Sequence, residues 1–465
     1  MARRYIRLDD IVPVARGYPS AVVSNGLVFI GGVRGARRGT TPRFSDLPEG
    51  FRNNGFSGFT LADRLEADFA ADAFTAHENL DRVVRAAGSD PLQVLRLHIW
   101  MRDKRVFPVY ERIRMAWQSV PAPSSCLGVA AVPGRLGGLA GLDAIAVVPG
   151  ENALFPERST LRAFDDAAFP AAAFFSQAVR CGPLMTLAGF IPIATNRPGA
   201  PVIAGYADLP EEQRFLATGR SHTDSRQGPI AAQTMFTYEA IRDTLKDAGL
   251  GFEHVTHVAV MLQDLRDFGT FHRVHRHLFP EGGPALSVMG FNEVGHKGTR
   301  IEIEVTAVAP TKGFPVTPVP WPVTPPFAGP AGMKMGPLCF FAGMMGLDDQ
   351  GQLVHGPADV SDPVGRQMAA DLGRYEIAPG FAAQSWAAWS LLSRACRNGG
   401  LTLSDIVKLT VTMRDPRDLW IFEEVREAFM PSANLPAIEF VAVHGPGPVK
   451  EAQVQIEAIA SEDIT

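Results

Sequence analysis

One pattern occurs three times along this 465-residue chain, and that repetition limits the fold more than any single motif. Each third opens with an apolar strand that ends in a small residue and glycine: Leu27-Val-Phe-Ile-Gly-Gly32, Leu184-Met-Thr-Leu-Ala-Gly189 and Leu338-Cys-Phe-Phe-Ala-Gly343. The terminal glycines lie about 155 residues apart. A long polar insertion follows, at about 36–68, 193–232 and 345–385. Then comes a helix with apolar residues at three- and four-residue steps, closed by glycine at Gly88, Gly249 or Gly400. Next is a strand ending in aspartate (Trp100-Met-Arg-Asp103, Met261-Leu-Gln-Asp264, Met413-Arg-Asp415). A second helix begins at Phe107, Phe268 or Leu419, and a Pro-Ala turn leads into two last strands. The order β-β-α-β-α-β-β predicts three mixed α/β (α+β) domains, at 1–150, 151–310 and 331–465. The stretch 311–330, with Pro-Val-Pro-Trp-Pro at 318–322, reads as a stiff linker. The first joint, about Pro149 to Ala173, is less distinctive.

Composition narrows the function classes. A net charge of −5 and a pI near 6.1 give no electrostatic case for nucleic acid, and the arginines are scattered. No apolar run is long enough to span a bilayer, and the first ten residues lack the apolar segment of a secretory signal. Cys126, Cys181, Cys339 and Cys396 are far apart and in no metal spacing, so they read as reduced thiols of a cytoplasmic protein.

The repeated pattern resembles the RidA (YjgF-like) imine deaminase family. There a Val-Ser-Gly strand, a helix ending Ala-Ala-Gly, an aspartate-terminated strand, Pro-Ala-Arg-Ser and Ile-Glu-Ile-Glu-Ala-Ile-Ala follow in this order. Residues 174–192, Ile301 to Glu304 and Gln455 to Ala460 match closely, and only insertions and linkers fall outside. The resemblance implies chorismate-mutase-like domains that trimerise with sheets inside, helices outside and a ligand cleft at each boundary. Three covalent copies then imply a single-chain pseudotrimer, open to further self-association. Docking three sheets together would bury the face that one layer of helices leaves bare.

The family's signature arginine pairs with the carboxylate of a 2-imino acid, a bidentate task suited to guanidinium. Ser124, Leu286 and Ile438 stand there instead, after Pro121-Ala-Pro, Pro284-Ala285 and Pro436-Ala437. Leucine or isoleucine cannot hold a carboxylate, which points to a changed substrate, neutral or aromatic, or to lost activity. The family tyrosine before the first strand falls on Tyr18, Phe175 and Gly329, and the cleft glycines on Gly32, Gly189 and Gly343. The water-positioning glutamate falls on Gly141, Glu302 and Gln455, so Glu302 alone could act as a base. Glu302 and Glu304 share one face of their strand, and solvated edge charges are the plain reading of that pair. The cleft position on the second helix falls on Glu111, His272 and Glu423. His272 and His275 share a helix face, but no third metal ligand is identifiable and no metal or other cofactor is expected. Cys126, two residues past the lost arginine, reads as a small buried residue rather than a nucleophile.

The sequence thus points to an enzyme on an imine, enamine or similar reactive intermediate in specialised metabolism, with Glu302 and His272 as catalytic candidates. The candidate contacts to its small-molecule ligand are Tyr18, Gly32, Phe175, Gly189, Gly343, Glu111, Glu423, Ser124, Cys126, Leu286 and Ile438. The alternative is a non-catalytic binding or chaperone-like scaffold. Cyanuric acid hydrolases and barbiturases also join three related domains, but they need a serine–lysine pair in each. The first copy has only Lys104, in a turn after a strand. The insertions, with Arg37, Arg38, Tyr206, Arg214, Arg220, His222 and Tyr375, are candidate cleft covers that could supply the lost anion binding.

Overall fold

The computed structural model describes residues 2–52, 61–117, 120–133, 138–162, 175–195, 197, 199, 201–325, 327–431 and 434–463. Part of the first insertion (53–60) and of the first joint (163–173), with Phe174, lies outside that set.

Three sheets share one strand order. The first runs Arg4–Ile6, Ala21–Ser24, Leu27–Arg34, Ala140–Val147, Val94–Met101, Ser124–Gly128. The second, from the same edge, runs Arg158–Arg162, Ala178–Cys181, Leu184–Leu187, Ile301–Val308, Val255–Leu262, Ala285–Gly290. The third runs Val316–Val319, Gly332–Met335, Leu338–Phe341, Val454–Ser461, Ile406–Met413, Ala437–Ala442. In each unit the last two strands of that order are parallel, as a helical crossover requires, and the other pairings are antiparallel.

The edge strands were not legible as strands. Val316–Val319 lies inside the proline-rich stretch, and Arg158–Arg162 inside the first joint. Pro318 is tolerated at a sheet edge because no outer neighbour needs its missing N–H. The long helices also start earlier than the periodicity suggests, at Leu61–Ala86, Ser221–Asp247 and Phe381–Asn398. All three insertions therefore end as helix, and the third also carries a separate helix, Pro363–Leu372.

The helices pack on one face of each sheet, and the three opposite faces meet. One shared apolar layer joins Phe29, Leu95 and Ile145 to Val179, Leu184, Val308, Phe340 and Val407. Another joins Trp100 and Leu127 to Met261, Met289, Phe291 and Val441. Between them lies a belt of ionisable groups from equivalent positions, buried except for the half-buried Glu457: Arg96, His257 and Lys408 on the central strands, Asp143, Glu304 and Glu457 on the last strands. Each base meets the acid of another unit. Arg96 Nε is 3.0 Å from Glu304, Lys408 Nζ 2.6 Å from Asp143, and His257 Nε2 3.9 Å from Glu457. His98 bridges Asp143 (3.2 Å) and Glu304 (2.9 Å). Burial opposes its charge, but these two carboxylates outweigh burial and raise its pKa to about 10. Glu304 is thus a paired core residue, not a solvated edge charge. A bulge in each central strand, at Val94/Arg96, Val255/His257 and Ile406/Lys408, turns the side chains beside these bases.

Candidate functional site

Three unit boundaries occupy equivalent places, and they differ in content. At the boundary of the first and second units a cavity of about 1170 Å³ opens. The first unit contributes Ser124 and Cys126 from Ser124–Gly128, Lys104 from the turn after Val94–Met101, and Phe107, Glu111 and Arg114 from helix Phe107–Trp117. The second contributes Phe175, Gly189 and Glu302, and walls of Phe190, Ile191, Ile193 and Phe236. The boundary is tied by backbone: Glu293–Val294 adds to the first sheet beside Ser124–Gly128, and Gly189 N donates to Ser124 O at 3.2 Å.

Glu302 is 3% exposed. A Cβ on Gly189 would lie 2.0 Å from Glu302 Oε1 and 2.7 Å from Ser125 Oγ, so glycine here makes room for the carboxyl. Gly295 N donates to Glu302 Oε2 at 3.2 Å. Burial pushes the Glu302 carboxyl up, the Lys104 ammonium and the Gly295 N–H pull it partly back, and it settles at about 7. Burial likewise pushes the Cys126 thiol up to about 12, so it is no thiolate at neutral pH.

Two cations of this cleft were missed in the sequence. Arg114 donates to Ser124 Oγ (2.9 Å) and Ala122 O (2.9 Å), which puts a guanidinium against the start of the strand Ser124–Gly128. It comes from the helix, at the position held by His275 and Arg426 in the other units; only that alignment could have flagged it. Lys104 Nζ donates to Cys126 O (2.8 Å) and Gly295 O (2.9 Å).

The other candidates lie elsewhere. His272 stands near the second–third boundary. Its Nε2 accepts from Ala328 N at 3.3 Å and its ring stacks on Phe268, so it does not join Glu302. There Leu286 is buried, and a Cβ on Gly343 would strike Gln455 at 2.3 Å. At the third–first boundary Tyr18 donates to Glu423 (2.8 Å), with Arg426 3.4 Å from the same carboxylate, and its ring meets Phe440 edge-on. Ile438 is buried, and a Cβ on Gly32 would lie 2.6 Å from Val14 and 2.7 Å from the Glu439 carboxylate. The place equivalent to Glu302 is Gly141, and Arg34, paired with Glu439, fills it. Tyr18, Gly32, Glu423 and Ile438 thus gather in a plugged boundary.

Of the insertion residues, Ile193 and Thr195 line the cavity, while Arg37 is tied to Asn79 and Glu78, and Arg214 to Leu209 O. Among the described residues no group of three or more His, Cys, Asp or Glu is placed to hold a metal, and no helix is long and apolar enough to cross a membrane.

Three similar sheets around one core, with a ligand-sized cleft at a unit boundary, define a tandem protein of the RidA class. The model of the family described as endoribonuclease L-PSP matches residues 166–309. A structure of a "putative endoribonuclease" from Klebsiella pneumoniae is 32% identical, covering 29% of this chain and 100% of that one, with a TM-score of 0.28. The mitochondrial protein mmf2 of Schizosaccharomyces pombe is 32% identical over 82 residues, 17% of this chain and 65% of that protein. The 2-iminobutanoate/2-iminopropanoate deaminase of Rattus norvegicus is 33% identical over 81 residues, 17% of this chain and 58% of that protein. The matches to these two curated relatives thus span under two thirds of their length. The chain belongs to the RidA (YjgF-like) family.

Proposed function

We propose that this protein is a single-chain pseudotrimer that hydrolyses a reactive imine or enamine at the cleft between its first and second units. The observation that carries the reading is the buried carboxyl of Glu302, which faces the cavity and titrates at about 7. Near neutral pH such a group exists in both forms, the condition for taking and returning a proton. In the proposed step water adds to the imine carbon while Glu302 accepts its proton. Glu302 passes that proton to the nitrogen to give the carbinolamine, then takes the carbinolamine hydroxyl proton and returns it to the nitrogen as the C=O bond forms and the C–N bond breaks. The balance is one imine and one water consumed, one carbonyl compound and one ammonia formed, with no change of oxidation state. The cavity exceeds the roughly 300–1,000 Å³ of ordinary ligand pockets, and Phe175, Phe190 and Phe236 line it, which suits a bulky aryl body. The name of the rat relative, a deaminase of small imino acids, agrees with the reaction type.

The test is ammonia release from freshly generated aryl and alkyl imines, with wild type and Glu302→Gln compared. The wild type should accelerate release, and the variant should lose about 100-fold or more of that acceleration. Absence of acceleration by the wild type over buffer would sink the proposal.

A further inference from the structure

Asp-X-Arg recurs after each central strand: Asp103-Lys104-Arg105, Asp264-Leu265-Arg266 and Asp415-Pro416-Arg417. The aspartate accepts from the arginine N–H in all three, so the turn has one shape and only its middle side chain changes. A lysine stands there once, in the first unit. A glutamate stands at the Gly141/Glu302/Gln455 position once, in the second. The two singletons come from different units and line the same cavity.

One residue orients both. Gly295 gives its N–H to Glu302 Oε2 at 3.2 Å and its C=O to Lys104 Nζ at 2.9 Å. It has φ +47°, and a Cβ there would lie 2.7 Å from Ile191 and 2.8 Å from Thr299 Oγ1, so the turn is built for glycine. Lys104 also donates to Cys126 O on the first unit's strand. The lysine ammonium has three N–H donors. Among the described residues the two carbonyls are its hydrogen-bond acceptors, which leaves a donor for a molecule in the cavity. At the next boundary the equivalent Leu265 packs on Gly445, with 2.1 Å from its Cδ1 to a Cβ built there.

We infer that Lys104 is a ligand-binding residue of this cleft, its remaining N–H holding an anionic oxygen of the bound molecule next to Glu302. Five acids line the cavity, Glu111, Glu239, Asp243, Glu293 and Glu302, and Arg105, Arg114 and Lys297 stand beside Lys104 in the same lining to offset them. The chemistry that follows binding rests on the hydrolase reading; the anion contact itself does not. The ligand class is a compound with a carboxylate beside its reacting carbon and an aryl body along Phe175, Phe190 and Phe236.

The experiment is calorimetric binding of phenylglyoxylate and acetophenone, which share ring and ketone and differ in the carboxylate. Full-length wild type, Lys104→Met and Lys104→Arg are compared, with melting curves to confirm folding. Wild type should bind phenylglyoxylate about tenfold or more tighter than acetophenone, the size of one charge-assisted hydrogen bond. Lys104→Met should close that gap and leave acetophenone unchanged, and Lys104→Arg should keep most of it. Equal binding of the two probes by wild type, or binding of neither, overturns the inference. So does a Lys104→Met variant that keeps the gap, or one that weakens both probes equally, as a purely structural staple would. A carboxylate preference without ammonia release would sink the hydrolase reading and leave this one standing.

Discussion

The first–second and third–first boundaries are built from equivalent strands and helices, yet one opens into a cavity and at the other, among the described residues, side chains take the place equivalent to Glu302. At the first, Glu302 and Gly189 face Ser124 and Cys126, and the space between them is open. At the third–first, Tyr18, Val14 and the Arg34–Glu439 pair occupy the equivalent volume. The difference lies in a few side chains, not in the backbone. Fusion permits it: a homotrimer must repeat any substitution three times, whereas a tandem chain can fill one cleft and open another. The plugged boundary then serves stability, and the open one is free to keep a costly buried carboxyl.

The strongest way to break this comparison is at Glu302 and its glycine. Gly189→Ala should act like Glu302→Gln, lowering imine hydrolysis by about 100-fold, because the new methyl would displace the carboxyl. Retained activity in Gly189→Ala would mean that the carboxyl position does not matter. Next in size is Tyr18→Ala in the plugged boundary. Truncating this buried ring should cost about 3–5 kcal/mol in denaturant unfolding, and ammonia release by the folded fraction should not rise, since no carboxyl stands at Gly141. New activity there would show that an open cleft suffices without the glutamate.

The third prediction concerns pH. Glu302 is raised from 4.5 to about 7 in the folded chain. Between those values the folded state holds a proton that the unfolded state has released, so stability falls as pH rises through that window. The loss is at most about 3 kcal/mol. Hydrolysis that uses the carboxylate as base should rise over the same range, with a midpoint near 7. Glu302→Gln should therefore melt higher than wild type at pH 8 and show little difference at pH 4. A pH-independent gap in melting temperature would remove the linkage. The smallest effect is expected at the second–third boundary. Gln455 is buried with neither amide atom hydrogen-bonded among the described residues. Gln455→Leu should stabilise the chain, by up to about 1–3 kcal/mol, with imine hydrolysis unchanged. A lower melting temperature would show that this amide has a partner in solution.

Much of the fold could be read because its signals are local. Apolar strands, glycine-closed helices and Pro-Ala turns each span a dozen residues and repeat. The edge strands escaped notice because Arg158–Arg162 and Val316–Val319 are polar or proline-bearing, and pairing rather than composition makes them strands. Glu302 was legible as the single carboxylate at its repeat position. Arg114 was not, because a helical arginine carries no sign that its guanidinium turns inward to Ser124. His272 looked equivalent to a cleft residue by spacing, but what it touches is the segment around Ala328, supplied by the third unit.

The sequence by itself determined that there are three like units, where most of their inner strands and the ends of their long helices fall, and which repeat positions differ. Only the tertiary structure decided which units meet at which differing position. A last strand can in principle face either neighbour in a ring of three. Glu302 became a cleft residue because the second unit's last strand meets the first unit's Ser124–Gly128, where Lys104 also arrives. Arg34 came to fill the space beside Gly141 because it is held there by Glu439 of the third unit. Contacts between residues hundreds of positions apart depend on docking and side-chain volume, and neither is written in any local pattern.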